Sequence, residues 1–325
     1  MGLYRTVARP VLFSMQPEAS HRLAGSLLRL PLPWGLLGGA ARDPRAETDL
    51  AGIPLANPVG LAAGFDKSAT MLHGLTRLGL GYVVIGTVSR LPREGNPRPR
   101  VARTPSETSL TNAMGIPNDG VEAVAARLER ARPRAPVLAS LADEEADDVA
   151  AAYARLAGRV AGFELNVSSP NSPWRHSGRD NAAHLREVLR VLVDVRGSRD
   201  GPLFVKLPPF RNPDEERTVM ELATIGAEGG AQGFTCANTH PVADPRMSTG
   251  RGGLSGRPLS AHTPRMVSAL RQAFPDLAIN ASGGVMGPDD LRACLDAGAT
   301  TVQIYTGLIY EGPRLVRALT RAAVV

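Results

Sequence analysis

Lysine is almost missing from this 325-residue chain: of its 37 basic residues only Lys67 and Lys206 are lysine, and the rest are arginine. Where guanidinium is the default cation, each lysine calls for a reason, because a compact, pKa-adjustable ammonium does things that arginine cannot. Cysteine is equally scarce. Cys236 and Cys294 sit in apolar stretches with no CxxC spacing, which argues against a disulfide framework or a zinc site and fits a reducing, cytosolic compartment. Aromatics make up 4% and are not interleaved with the arginines, so a net charge of +6 does not point to nucleic acid. No apolar run reaches the roughly 18 residues that span a bilayer, and the start does not read as a signal peptide. Nor is there a G-x-S-x-G elbow or ligand spacing among the six histidines, which removes a Ser–His–Asp hydrolase and a histidine-held metal.

What is present is globular, with 43% apolar and 21% charged residues. Residues 2–15 and 17–30 repeat apolar residues at helical spacing, Leu3, Tyr4, Val7, Val11 and Phe13 beside Arg5 and Arg9, then Ala19, Leu23, Leu27 and Leu30. They predict two short amphipathic helices suited to peripheral membrane contact or to capping a core. Residues 1–45 therefore read as an appended helical unit and 46–325 as the main domain. Within that domain, strands are expected at 58–63, 81–86, 136–141, 161–167, 202–207, 233–238, 277–282 and 300–306. Helical stretches are expected at 68–79, 119–132, 143–157, 180–196, 213–228, 261–274, 288–297 and 313–323. Eight strand–helix alternations predict an α/β fold of the (β/α)8 TIM-barrel type, although a doubly wound sheet fits the same alternation.

Barrel chemistry gathers at the carboxyl ends of the strands. Those ends carry Asp66 and Lys67, Thr87, Ser140, Asn166, Lys206, Asn238 and Thr239, Gly283 and Gly284, and Tyr305 with Thr306. Polar groups inside apolar runs are costly without partners, so these face one another or a ligand. The glycines of 251–256, 282–284 and 305–307 supply backbone N–H groups near the last two strands, where barrels commonly bind phosphate.

These residues, in order, resemble the dihydroorotate dehydrogenases of the quinone-linked class. The likeness runs through NPVGLAAGFDK (57–67), IGTV (85–88), GNPRPR (95–100), NAMGI (112–116), NVSSPNSP (166–173), FVKLPP (204–209), ANT (237–239), GGLSGRPL (252–259), SGG (282–284) and VQIYTG (302–307). The resemblance implies a barrel that holds FMN, oxidises dihydroorotate to orotate in pyrimidine biosynthesis and passes the electrons to menaquinone or ubiquinone. It also implies a peripheral place on the cytoplasmic side of the cell membrane, and a monomer is expected. Ser169 falls at the base that takes the C5 proton. Lys67, Asn112, Ala113, Met114, Gly115, Ile116, Asn166, Asn171, Asn238 and Thr239 fall at substrate positions. Ala63, Gly64, Lys67, Thr87, Ser140, Asn166, Lys206, Ala237, Gly256, Gly284, Tyr305 and Thr306 fall at flavin positions. Lys206 would stabilise negative charge on the reduced flavin, and Arg103 and His21 would stand near the quinone tunnel.

The chain departs from the family pattern in three places. ASLADEEADD (139–148) replaces an Asn-Ile-Gly-Lys-Asn-type run, so that Ser140 stands for a flavin-contacting asparagine. Ala237 stands for a threonine, and WRH (174–176) alters the active-site loop. They motivate an alternative, a divergent paralogue doing flavin redox on a related cyclic substrate. A non-catalytic scaffold at the membrane surface is the third reading.

Overall fold

The computed structural model describes residues 4–38, 43–167, 180–197 and 200–324. Eight parallel strands close into a barrel: β3 (Val59–Leu61), β4 (Tyr82–Val88), β7 (Val137–Leu141), β8 (Gly162–Leu165), β9 (Leu203–Leu207), β10 (Gly233–Cys236), β13 (Ala278–Ser282) and β14 (Thr301–Ile304). Each pairs with the next, and β14 closes on β3 with Val302 opposite Val59. All eight expected strands are present, and the closed order removes the doubly wound alternative.

Alternation along the strands sorts the side chains. One set, including Val59, Leu61, Val83, Ile85, Phe163, Leu165, Val205 and Ile304, packs outward into a single large core with the surrounding helices. The other set faces the barrel interior, as the two-residue period of a strand requires. Its lowest layer is apolar and is plugged by a hairpin of β1 (Thr48–Leu50) and β2 (Ile53–Leu55), whose Leu50, Ile53 and Leu55 meet Tyr82, Val84, Leu138 and Phe204. Above it lies a belt of polar groups: Tyr82 bonds Thr301 at 2.7 Å, Thr301 donates to Asn280 at 2.6 Å, and Asn280 reaches Thr235 at 3.4 Å.

The helices follow their local signals. In the helix Asn181–Val195 the Asp180 side chain caps the N–H groups of Ala182 and Ala183; in the helix Pro213–Glu228 Asn212 caps Asp214 and Glu215, with proline in the first turn. The expected helix over 68–79 shrinks to Leu72–Leu75, because Asp66 turns back to accept from the Thr70 and Met71 N–H groups and holds the preceding segment as a loop. Two features escaped the sequence pattern. A four-stranded antiparallel sheet, β11 (His240–Ala243), β12 (Arg251–Gly256), β6 (Ser109–Asn112) and β5 (Val101–Thr104), stands at the carboxyl end of the barrel, and a short helix, Thr306–Glu311, precedes the last one.

The N-terminal segment forms a helical turn at Tyr4–Ala8 and helices at Arg9–Ser14 and Pro17–Leu28. The Tyr4 hydroxyl donates to the Ile309 carbonyl at 2.6 Å, and Arg9 to that of Tyr310 at 3.1 Å. The second helix lies close against the barrel where Gly74 leaves room, since a side chain there would collide with the Leu28 backbone.

Candidate active site

One cavity of about 1080 Å³ runs from the N-terminal helices to the carboxyl ends of the barrel strands, at the upper limit of the range for a single small ligand. Its outer half is apolar, lined by Leu12, Leu27, Leu28, Trp34 and Leu37. Here Arg103 donates to the Met15 carbonyl and the Ser20 hydroxyl, both at 2.9 Å, and stacks 4.6 Å above the Phe13 ring. Glu18 ties the second helix to the mouth by pairing with Arg98 at 2.8 Å and Arg100 at 3.0 Å.

Between the halves stands a relay of rings, His21 against Phe65 at 5.2 Å and Phe65 against Tyr305 at 5.5 Å, both edge-on. Burial, with the nearby Lys67 charge, pushes the His21 imidazole down to about 4, so it is neutral at physiological pH. Burial also raises the Tyr305 phenol to about 12.

The inner half is polar. Lys67, presented by the loop that Asp66 anchors, donates to the Gly64 carbonyl at 2.6 Å. Burial, reinforced by Arg100, lowers its ammonium to about 8. Asn166 donates to the Thr87 hydroxyl at 2.8 Å and accepts from the Asn238 amide at 3.1 Å. These two bonds fix which end of each amide faces the cavity, and a carboxamide offers a ligand both donors and an acceptor. Asn112 donates to Gly253 across the antiparallel sheet at 3.3 Å. The Met114–Ile116 backbone is held by Asn96, whose N–H donates to Met114 at 2.9 Å. On the opposite strand Lys206 pairs with Glu164 at 3.3 Å.

The floor near the last strands suits an anion. Gly283 and Gly284 have φ of +115° and +74°, and a side chain at Gly284 would collide with the Ser260 backbone. Their carbonyls accept from the Thr263 and Ser260 hydroxyls at 2.8 and 2.6 Å, whereas their N–H groups find no acceptor among the described residues. Two N–H groups with no acceptor among the described residues, in a cavity wall beside the first turn of the helix at Thr306, form a concave donor set of the kind that can hold an anion. A phosphate-bearing ring cofactor fits this floor, with Lys206 available to a region that gains negative charge.

Of the expected site residues, Ala63, Gly64, Lys67, Thr87, Asn112, Met114, Gly115, Ile116, Asn166, Lys206, Ala237, Asn238, Thr239, Gly256, Gly284, Tyr305 and Thr306 line this one cavity, with Arg103 and His21 at its outer half. Ala113 and Ser140 are completely buried behind its wall; the Ser140 hydroxyl meets Thr87 at 3.1 Å and reaches the cavity only through it. Ser169 and Asn171 lie outside the described residues, as does WRH 174–176. Sequence reasoning missed Glu164, Gln303, Phe65 and Arg100. The first two sit within strands where only the closed barrel reveals a shared interior, and Arg100 is hidden among many arginines.

Fold and site together define a parallel α/β-barrel enzyme whose cavity joins an apolar entrance to a polar, glycine-floored end. A family model described as "Dihydroorotate dehydrogenase" matches residues 45–322. The chain belongs to the dihydroorotate dehydrogenase family, which implies a flavin. A Chloroflexus aurantiacus protein is 37% identical over 355 residues, covering 98% of this chain and 95% of its own. One from Clavibacter michiganensis is 38% identical over 346 residues, covering 99% and 98%. Both are named "Dihydroorotate dehydrogenase (quinone)". Ligand-free DHODH from Eimeria tenella superposes with a TM-score of 0.81 at 28% identity, over 94% of this chain and 93% of that one.

Proposed function

We propose that this protein oxidises dihydroorotate to orotate in pyrimidine biosynthesis, with FMN as its cofactor and a membrane quinone, menaquinone or ubiquinone, as electron acceptor. The observation that carries the reading is the single cavity with two unlike ends, joined through the His21–Phe65–Tyr305 rings. Full-length similarity to quinone-linked relatives supports it.

FMN, when bound, would supply a two-electron acceptor for the hydride that the substrate loses from C6. The Gly283–Gly284 N–H groups, with Gly256 and Thr306, would hold its phosphate, and Lys206 would stabilise the negative charge that reduction brings. Asn112, Asn166, Asn238 and Thr239, with Asn171, take the amide edges of the pyrimidine ring, and Lys67 attracts its carboxylate. Ser169 removes the C5 proton; a serine hydroxyl is a weak base, so the proton passes on through water or a neighbour. Thr87 and Ser140 act from behind by fixing Asn166.

The helical unit 1–45 forms the quinone entrance and rests on the membrane surface. Val7, Val11, Leu23, Leu27, Leu30, Leu32, Leu36 and Leu37 are all exposed, and the second helix places such residues on its outer side. An apolar patch of this kind marks an interaction surface. No described helix is long and apolar enough to cross a membrane.

The test is anaerobic addition of dihydroorotate to the purified yellow protein. The flavin absorbance should bleach with release of one orotate per flavin. A flavin that stays oxidised contradicts the proposed substrate and favours a related cyclic one.

A further inference from the structure

Lys206 and Glu164 form the only ion pair among the described residues in which both side chains are more than nine-tenths buried, at 7% and 1% exposure. It is a poor pair by the measure of stability. One contact of 3.3 Å joins them, and the second carboxylate oxygen of Glu164 has no hydrogen-bond partner among the described residues. Two apolar side chains would fill the space more cheaply, since desolvation of a buried pair commonly exceeds its attraction. The layer just below, with Val84, Leu138 and Phe204, is filled in that way. The fold therefore gives no reason for a charge at position 164.

Position supplies one. Glu164 lies in β8 two residues before Asn166, whose N–H donates to Leu141 and carries the ladder one residue past the strand, so the two share the interior face, and Asn166 lines the cavity while Glu164 does not. Glu164 thus lies one pleat below the cavity floor, outside the cavity but against the lysine that lines it. Its charge also reaches across the barrel: the Tyr82 hydroxyl, raised mainly by burial, is raised further by Glu164. Gln303 ends the belt on the opposite side; it lines the cavity, and neither of its amide atoms has a well-formed hydrogen bond among the described residues.

We propose that Glu164 is a positioning residue for the electron-transfer chemistry: by pairing with Lys206 inside the barrel it limits the positive charge offered to the flavin and holds the midpoint potential of the bound flavin down. A lone buried ammonium would favour the reduced cofactor and slow its reoxidation. An ammonium shared with a carboxylate favours it less, which suits an enzyme that must give its electrons away. The inference deepens the flavin reading above and rests on it.

The test is the midpoint potential of the FMN-loaded protein, measured by reduction in equilibrium with a reference dye. Glu164→Gln should raise the preference for reduced over oxidised flavin about tenfold, or about 30 mV for a two-electron couple. Glu164→Asp keeps the charge but draws it back from Lys206, and should raise the preference by a smaller factor. If the glutamine variant does not hold flavin, the aspartate variant decides alone. An unchanged or lowered potential overturns the inference, even where melting temperature or flavin affinity falls, because those losses are all that a purely structural pair would produce. The dye assay needs no dihydroorotate. A bound flavin that dihydroorotate cannot bleach would therefore remove the substrate reading and leave this comparison standing.

Discussion

The two lysines occupy one cavity and live under opposite electrostatic rules. Lys67 stands at the junction of the barrel and the N-terminal helices, donates to a carbonyl and forms no ion pair among the described residues. Lys206 sits deeper and is locked to Glu164. At Lys67 burial outweighs the support of the nearby Asp66 and Glu18 charges, so its ammonium gives up its proton readily and is responsive, whereas Lys206 is tied to one carboxylate partner. Under the proposed function the difference would separate two tasks, meeting an anionic substrate that comes and goes and flanking a cofactor that stays.

The largest effect is expected from Lys206→Met. Removing one partner of a buried pair strands the other charge, which costs about 3–5 kcal/mol; thermal melting should fall steeply and flavin should leave on gel filtration. Lys67→Met should behave differently. The buried Asp66 beside it keeps its bonds from the Thr70 and Met71 N–H groups, so melting should change little, while kcat/KM for dihydroorotate falls by about 10- to 100-fold through loss of a charged hydrogen bond. If the two variants lose stability alike, the contrast is wrong.

A titration sharpens the same contrast. An anionic ligand favours protonated Lys67, so orotate should bind with constant affinity below about pH 8 and progressively more weakly above it; the Lys67→Met variant should show no such break. The sign for the empty fold is the reverse. A lysine lowered on folding destabilises while it stays charged, so this burden is full below about pH 8 and is relieved as pH rises toward the ordinary lysine value.

The smallest effect belongs to Glu18. Burial works against its charge, but Arg100 and Arg98 prevail and hold the carboxyl below its usual range. The helix clamp is therefore present at neutral pH and is lost as acid passes below that range. Glu18→Gln should raise the quinone KM modestly, consistent with about 1 kcal/mol for a partly exposed pair, and leave the dihydroorotate KM unmoved.

Much of this was legible beforehand for a physical reason. The strands announce themselves as apolar runs, and several give way to a polar residue at or just past the carboxyl end; Lys67, Asn166, Lys206 and Asn238 all betray the site in this way. Scarcity helped too, since a lysine stands out among arginines where Arg100 does not. Glu164 and Gln303 were illegible because their meaning depends on which strands face each other across a closed barrel. The antiparallel sheet was missed because its four short strands come from two separate insertions and pair only in three dimensions. The shortened helix at Leu72 depends on one side chain, Asp66, competing for backbone N–H groups.

The central claim is that one flavin serves two separate ends of one cavity, and the reoxidation step tests it most directly. Protein reduced by dihydroorotate should be mixed with a menaquinone or ubiquinone analogue, with and without saturating orotate, while the return of flavin absorbance is followed. The two-ended cavity predicts full return of colour at a rate that orotate leaves nearly unchanged. Competition between orotate and quinone for the reduced protein would contradict it.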